Sequence, residues 1–155
     1  MFKIVVAFDK NKTIGYEGWM PWDIPEDLQH FKDVTLNSNI IMGTTTFNGL
    51  KKPLPKRVTY VLSSAPVSES ENVKWISNLE EFINQYKDSD QVFYVCGGAS
   101  IYKQFLPYTS EMIVSYVNGD WPSDTVFPEF NDEDFEISDL KEYTDFTVKS
   151  YKRIK

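Results

Sequence analysis

Short apolar runs recur along the chain, and each is bounded by polar or turn-forming residues. The first run, Phe2 to Phe8, is apolar except at Lys3, and this pattern predicts a strand buried on both faces of a sheet. Later runs rich in β-branched and aromatic side chains predict further strands at 39–42, 58–62, 73–76, 92–96, 112–117, 135–138 and 146–154. The hydrophobic pattern therefore predicts a chain organised around a sheet.

Helices are predicted between the early strands but not between the late ones. One helix is expected to begin near Ile24, because Pro25 suits the first helical position. Another is expected at Leu79 to Tyr86, whose apolar residues share one face. Residues 9–23 and 121–128 are predicted to be loops.

This order of elements predicts an α/β fold. Strands that alternate with helices pair in parallel, whereas the two late strands, with no helix between them, suit an antiparallel hairpin. The expected architecture is a mixed, mostly parallel eight-stranded sheet with helices on both faces and an antiparallel C-terminal hairpin. With 155 residues and no internal repeat, the chain is predicted to form a single domain spanning residues 1–155.

Charge and composition narrow the possible partners. The formal net charge of −7 argues against nucleic acid and against an anionic membrane surface, and no apolar run is long enough to span a bilayer. The single cysteine, Cys96, and the single histidine, His30, exclude a metal cluster, so no metal is expected. A lone cysteine also agrees with a reducing compartment, and we expect a cytoplasmic protein. An anionic ligand would then need local cations, for which the candidates are Lys51, Lys52, Lys56 and Arg57.

Asp27 is the main candidate for chemistry. It falls on the same predicted helix face as Leu28 and Phe31, so its carboxylate is expected to be drawn towards the interior, where ionisation is disfavoured. Such a group can serve as a proton source or can accept hydrogen bonds from an amidine-like ligand. A second interpretation stays open, because acids in a first turn also stabilise helix ends. Met20 and Trp22, which precede the helix, favour a shaped loop over a plain linker.

Several predicted strands lead directly into glycine or hydroxyl residues. The first such strand is followed by Gly43-Thr44-Thr45-Thr46, the next by Ser63-Ser64, and a third by Gly97-Gly98. A strand followed by glycine and a helix start offers backbone N–H groups to a phosphate, and glycine allows the backbone to approach a ligand closely. These segments differ from the G-x-G-x-x-G fingerprint, so a Rossmann fold is not predicted.

Taken together, these segments resemble the dihydrofolate reductase family over nearly the whole chain. The matching motifs are Ile14-Gly15 with Met20-Pro21-Trp22, Pro25-x-Asp27-Leu28-x-x-Phe31, Ile41-Met42-Gly43-x-x-Thr46-Phe47, Pro53-Leu54-Pro55-x-Arg57, Gly97-Gly98 through Tyr102, and Asp124-Thr125-x-Phe127-Pro128. The resemblance implies reduction of 7,8-dihydrofolate to tetrahydrofolate by hydride transfer from NADPH, in support of one-carbon and thymidylate metabolism. It also implies an antifolate target and a monomer.

The resemblance assigns expected roles to individual residues. Asp27 would bind the pterin ring, Trp22 would hold a water nearby, Met20 would close over the nicotinamide, and Arg57 would pair with the glutamate tail of the substrate. The remaining substrate-binding residues would be Val5, Val6, Leu28, Phe31, Leu50, Leu54, Cys96 and Ser115. The cofactor would contact Ala7, Ile14, Gly15, Met20, Gly43, Thr44, Thr45, Thr46, Ser63, Ser64, Gly97, Gly98, Ala99, Ser100, Ile101 and Tyr102.

Two alternatives and several departures from the family pattern accompany this interpretation. The reductase of riboflavin synthesis shares the fold, although Trp22 and Asp27 argue against it, and a fold relative could bind folate or dinucleotide without catalysis.

Thr44 and Ser100 stand where the family commonly has arginine near the cofactor phosphates, so the strictness of the NADPH preference is an open question. Ser123 replaces a usual glycine, and Trp19 replaces a smaller residue; both are expected to affect loop closure.

Overall fold

The computed structural model describes residues 1–18, 20–50 and 52–155. Trp19 and Lys51, which the sequence analysis singled out, therefore lie outside the described residues. The strands are β1 (Phe2–Phe8), β2 (Thr13–Gly15), β3 (Asn39–Gly43), β4 (Val58–Leu62), β5 (Val73–Ile76), β6 (Phe93–Val95), β7 (Thr109–Val117), β8 (Thr125–Val126), β9 (Phe135–Glu142) and β10 (Phe146–Arg153). The helices are α1 (Pro25–Thr35), α2 (Thr44–Asn48), α3 (Leu79–Tyr86) and α4 (Ala99–Phe105).

The main sheet has eight strands in the order β5-β4-β3-β6-β1-β7-β10-β9. The strands from β5 to β7 pair in parallel, and β10 pairs antiparallel with both β7 and β9. The predicted mixed, mostly parallel sheet with an antiparallel C-terminal hairpin is therefore confirmed. β1 lies between β6 and β7, and its central residues are buried on both faces, as the run of apolar side chains predicted.

A second, two-stranded sheet was missed by the sequence analysis. β2 and β8 pair antiparallel within the segments 9–23 and 121–128, which were predicted to be loops. These strands have three and two residues, too few to show a period of two in the hydrophobic pattern. The prediction of uninterrupted loops was wrong, and the two segments instead support each other.

The late strands are longer than predicted. β7 begins at Thr109 rather than Met112, and β9 continues to Glu142 rather than ending at Ser138. All residues of β9 after Phe135 are exposed, because this strand forms the edge of the sheet. An exposed edge strand carries no apolar run, so its length could not be recognised from hydrophobicity.

Two apolar clusters hold the molecule together. The larger one is rich in aromatic rings, and Phe2 packs against Phe82, Phe93 and Phe105 with ring centroids 5.0–6.0 Å apart. The smaller one contains Trp22, and it packs the chain entering α1 against the C-terminal hairpin. None of the helices found in the described ranges has the length and apolar character needed to cross a membrane.

Candidate active site

The carboxyl ends of four parallel strands meet along one edge of the sheet. β4, β3, β6 and β1 are neighbours in this order, so the segments that follow them lie side by side. The Gly43 N–H donates to the Gly97 carbonyl at 3.0 Å, which joins the end of β3 to the end of β6. The Thr44 hydroxyl donates to the Leu62 carbonyl at 3.4 Å and joins α2 to the end of β4. The three strand-to-glycine or strand-to-hydroxyl segments predicted from sequence are thus brought together.

Two glycines of this edge, Gly43 and Gly97, are required by their surroundings. A Cβ at Gly43 would lie 2.9 Å from Cγ1 of Ile101, which is closer than side chains normally approach. Gly97 has φ +108°, a region that other residues adopt only with strain. At Gly98, by contrast, the nearest atom to an added Cβ is Oγ1 of Thr46, 4.0 Å away. The backbone at Gly98 is therefore open to a ligand on the side that faces Thr46.

The predicted cofactor residues differ in their exposure. Thr44, Thr45, Ser64 and Ser100 are exposed, while Ile14, Gly15, Thr46, Ser63, Gly98 and Ala99 are half-buried. Ile101 and Tyr102 are buried, and the Tyr102 hydroxyl donates to the Val5 carbonyl at 2.9 Å. Burial also raises the pKa of Tyr102 well above its usual range. These two side chains connect α4 to the sheet, whereas the exposed residues present their backbone and side chains to solvent or a ligand.

Asp27 lies in the first turn of α1, and its side chain points inwards. The residue is only 7% exposed, in agreement with the expectation that its helix face would draw it towards the interior. Burial raises the pKa of the Asp27 carboxyl, and this effect is partly opposed by the Ser115 hydroxyl and by the charge of His30. Ser115 comes from the middle of β7, where it pairs with Ala7 of β1. Asp27 is therefore a poorly solvated carboxylate held over the centre of the sheet.

Leu28 and Phe31 are less buried than their shared helix face suggested. Leu28 is 42% exposed and Phe31 is half-buried. Val5 and Val6 are buried in β1, and Leu50, Leu54 and Cys96 are half-buried. Leu28 lies at an open surface, and its expected contact with the substrate stays a prediction. Apolar side chains left open beside a buried carboxylate are a usual feature of a ligand pocket.

The loop that leads into α1 packs against Trp121 and the C-terminal hairpin. Trp22 is 3% exposed and contacts Trp121 edge-to-face, with ring centroids 5.8 Å apart. Its indole Nε1 is buried and has no hydrogen-bond partner within the described part of the chain. A buried indole N–H without a partner is costly, so this donor is suited to a bound water or ligand. Met20 is half-buried and packs against the same cluster.

Arg57 is a buried cation with a fixed orientation. It is 6% exposed, and it donates from Nε to the Thr35 hydroxyl at 3.0 Å, from Nη1 to the Pro55 carbonyl at 2.6 Å, and from Nη2 to the Lys32 carbonyl. A guanidinium has five N–H groups, so these contacts leave two donors for an anion. Lys52 and Lys56 are exposed, and Lys52 lines a cavity of about 230 Å³ together with Phe47, Asn48, Leu50 and Pro53.

Two loops that flank this edge are tied together by carboxylates. Asp124 accepts a hydrogen bond from the Glu17 N–H at 2.9 Å, and its own N–H donates to the Gly15 carbonyl at 3.1 Å. Asp9 is fully buried and accepts from the N–H groups of Asn11, Thr13 and Trp121. Burial opposes the ionisation of Asp9, but these hydrogen bonds outweigh it and lower the Asp9 pKa.

Asp9 and His30 are residues that the sequence analysis did not assign to the site. Asp9 follows a buried strand immediately, a position where polar side chains commonly organise a loop. His30 stands three residues after Asp27 on a helix, and this spacing places the two side chains next to each other. Both signals were present in the sequence, but neither exceeds the background of ordinary loop and helix composition.

The comparisons with known proteins agree with one another. A family model described as dihydrofolate reductase matches residues 1–153. Dihydrofolate reductase from Haemophilus influenzae is 36% identical over 136 residues, covering 88% of this chain and 84% of the relative. The Bacillus subtilis dihydrofolate reductase is 33% identical over 137 residues, covering 88% and 81%. A solved structure of Enterococcus faecalis dihydrofolate reductase, in complex with NADP(H) and RAB-propyl, superposes with a TM-score of 0.83 at 28% identity, covering 99% of this chain and 96% of that one.

Proposed function

The chain belongs to the dihydrofolate reductase family and is an oxidoreductase that reduces dihydrofolate with NADPH, and we propose that Asp27, Arg57 and the Gly97–Gly98 segment organise this reaction. The observation that carries the assignment is the buried Asp27 carboxylate beside the open glycine edge of the sheet. The resemblance noted in the sequence supplied the family, and the exposure and hydrogen bonds of these residues support their roles.

Asp27 binds the pterin ring of dihydrofolate. A carboxylate with little access to water favours a partner that offers two parallel N–H groups, as the 2-amino and N3 side of a pterin does. Burial raises the Asp27 pKa and so disfavours its ionised form. The two N–H groups of the pterin would compensate for this, because they hydrogen-bond to the ionised carboxylate. Ser115 supports the same end of the ring from β7.

The proton that N5 of dihydrofolate takes up comes from water rather than directly from Asp27. N5 lies on the far side of the pterin from the atoms that Asp27 would bind. The unpartnered Nε1 of Trp22 can hold a water near the carboxylate, and the loop containing Met20 controls access of solvent to it. Asp27 and Trp22 therefore orient the water that gives up the proton, and the loop containing Met20 limits when solvent reaches it.

The residues at the glycine edge fit a dinucleotide cofactor. The backbone is open at Gly98, and exposed hydroxyls follow the ends of β3 and β4. When bound, the reduced nicotinamide supplies the hydride that reaches C6 of dihydrofolate. Gly43, Gly97 and Gly98 allow the backbone to approach it, while Thr44 to Thr46, Ser63 and Ser64 donate to its phosphates. Positioning of this kind is the main contribution of the protein to hydride transfer.

Arg57 binds the glutamate tail of dihydrofolate. Its two remaining N–H donors match the two oxygens of an α-carboxylate, and its three protein contacts hold the guanidinium plane in place. Leu28, Phe31, Leu50 and Leu54 cover the benzoyl part of the substrate between Arg57 and Asp27. A cationic anchor of this kind offsets the repulsion expected from a chain with net charge −7.

The activity is tested by mixing the purified chain with dihydrofolate and NADPH and following the near-ultraviolet absorbance of the reduced nicotinamide. Loss of this absorbance only when both compounds are present supports the proposed reaction. Persistence of the absorbance with a folded protein would contradict it, and tight binding of either compound without turnover would favour a non-catalytic binding protein. The family resemblance and the net charge of −7 also lead us to propose a monomer, located in the cytoplasm, that binds no nucleic acid. Size-exclusion chromatography tests the oligomeric state, and cell fractionation tests the location.

Thr44→Arg is expected to increase kcat/KM with NADPH and to change it little with NADH. Thr44 is exposed at the start of α2 and is bonded to the end of β4, so an arginine there would meet a 2′-phosphate. A charge-assisted hydrogen bond contributes about 1.5–3 kcal/mol, or roughly 10- to 150-fold in discrimination between the two cofactors. The native chain is expected to prefer NADPH, but less strongly than the variant.

Ser138→Arg is the matched control for this experiment. It adds the same charge on β9, five strands away from β3 in the sheet. An equal gain with both cofactors in Thr44→Arg, or the same gain in Ser138→Arg, would show that Thr44 does not lie at the 2′-phosphate.

Ser123→Gly is expected to change kcat more than the Kd for dihydrofolate. The Ser123 hydroxyl donates to the Thr125 carbonyl at 3.3 Å, next to the Asp124 contact that joins the two flanking loops. Glycine removes this bond and frees the backbone, so the balance between open and closed loops shifts, and loop motion commonly limits product release. Ser123→Ala removes only the hydroxyl and separates the two effects. A changed Kd with an unchanged kcat would contradict the prediction.

A further inference from the structure

His30 is a half-buried histidine on the same helix as Asp27. The two residues are three apart on α1, and side chains at this spacing are neighbours on a helix surface. Nε2 of His30 is fully buried and has no hydrogen-bond partner among residues 1–18, 20–50 and 52–155. A ring nitrogen in this position neither anchors a loop nor caps a helix, so the local structure does not account for a histidine here.

The charges around His30 come from both sides of the helix. The charges of Asp27 and Asp33 on α1, and that of Lys141 on β9, all act on its ring. Burial lowers the His30 pKa, the two acids oppose this change, and Lys141 adds to it. The groups that interact with Asp27 in turn are His30, the Ser115 hydroxyl of β7 and the Tyr102 hydroxyl of α4. His30 is thus a titratable base whose positive charge, when the ring is protonated, favours the ionised form of the Asp27 carboxyl.

We propose that His30 is a positioning residue for Asp27: protonation of its imidazole ring, one helical turn away on the same inward side of α1, favours the ionised Asp27 carboxylate and so contributes to the pH dependence of dihydrofolate reduction. The inference rests on the proposed role of Asp27. When His30 is protonated, it stabilises the ionised carboxylate, and when it loses its proton this support is withdrawn. The two groups then titrate as a coupled pair rather than as independent sites.

Because His30 is the single histidine in the chain, its ring C–H resonances can be assigned in a proton NMR spectrum without further variants. We expect the pKa of His30, followed in this way, to be lower in Asp27→Asn than in the native chain. Coupling between two sites is reciprocal, so His30→Gln is expected to raise the Asp27 pKa. Since the reaction consumes a proton, this rise appears as a shift of the falling limb of the kcat/KM profile towards higher pH.

Glu80→Gln is the matched control, because it removes an exposed acid from a different helix, α3, and Glu80 is not among the charges that act on His30. It is expected to leave both the NMR titration and the kinetic profile in place. An unchanged His30 titration in folded Asp27→Asn would overturn the proposal. A shifted NMR titration with an unshifted kinetic profile in His30→Gln would overturn the link to catalysis. Failure of the role of Asp27 itself would be recognised separately, as near-normal turnover in Asp27→Asn.

Discussion

Asp27→Asn is expected to lower kcat/KM for dihydrofolate by about 10²- to 10⁴-fold at neutral pH, the range lost when a group that assists proton transfer is removed. Asparagine keeps the shape of the side chain but cannot carry the negative charge that the proposed role of Asp27 requires. The loss is expected to be greatest at neutral pH and smaller in acid, where the solvent supplies protons. Steady-state kinetics across the pH range measure both effects, and near-normal turnover would remove Asp27 from the mechanism.

The same variant is expected to be at least as stable as the native chain at neutral pH. The Asp27 pKa is raised in the folded state, so the folded protein binds the proton more tightly than the unfolded chain does. The resulting penalty is fully present above the folded pKa and disappears as the pH falls below the ordinary value of 3.8. Denaturant unfolding of both proteins at neutral and at acid pH tests this, and it shows whether a loss of activity reflects chemistry rather than misfolding.

Arg57→Lys is expected to weaken dihydrofolate binding by roughly 10- to 150-fold, with little change in the affinity for NADPH. The estimate corresponds to about 1.5–3 kcal/mol for a hydrogen bond to a charged partner. Lysine keeps the charge but loses the planar, two-pronged geometry. It also cannot reproduce the contacts to Thr35, Pro55 and Lys32, so a moderate loss of stability is expected as well. Isothermal titration below the unfolding transition measures the two affinities.

A substrate without the glutamate tail provides the control for Arg57. A reduced pterin that lacks the tail should bind the native chain and Arg57→Lys equally, because it makes no contact with the guanidinium. If the variant also loses affinity for this truncated compound, Arg57 acts by shaping the pocket and not by pairing with the tail.

The sequence predicted the central part of the fold because buried elements carry a strong pattern. β1, β4, β5 and α3 have the bounds that their hydrophobic residues indicated. The β2–β8 sheet and the full length of β9 were missed, since short or exposed strands are stabilised by partners that are distant in the sequence. The mixed architecture followed from the order of the elements.

The candidate site was predicted to a similar extent and for related reasons. Glycines that must accept close contact, such as Gly43 and Gly97, could be recognised because few other residues replace glycine there. The inward position of Asp27 followed from helical spacing. The three protein contacts of Arg57 and the buried nitrogen of His30 could not be predicted, because they depend on where carbonyls and charges from other segments arrive in space.

The reactivity of the single cysteine, Cys96, depends on transient opening of the structure around it. Part of the Cys96 surface remains accessible, yet protein surrounds the sulfur densely enough that burial raises the pKa of the thiol to about 12. Since the thiolate is the reactive species, an alkylating reagent at neutral pH modifies the closed protein very slowly. Labelling then occurs chiefly in molecules that have transiently opened around β6. The rate of Cys96 alkylation, followed by mass spectrometry with and without bound ligand, therefore reports how often the protein opens around β6.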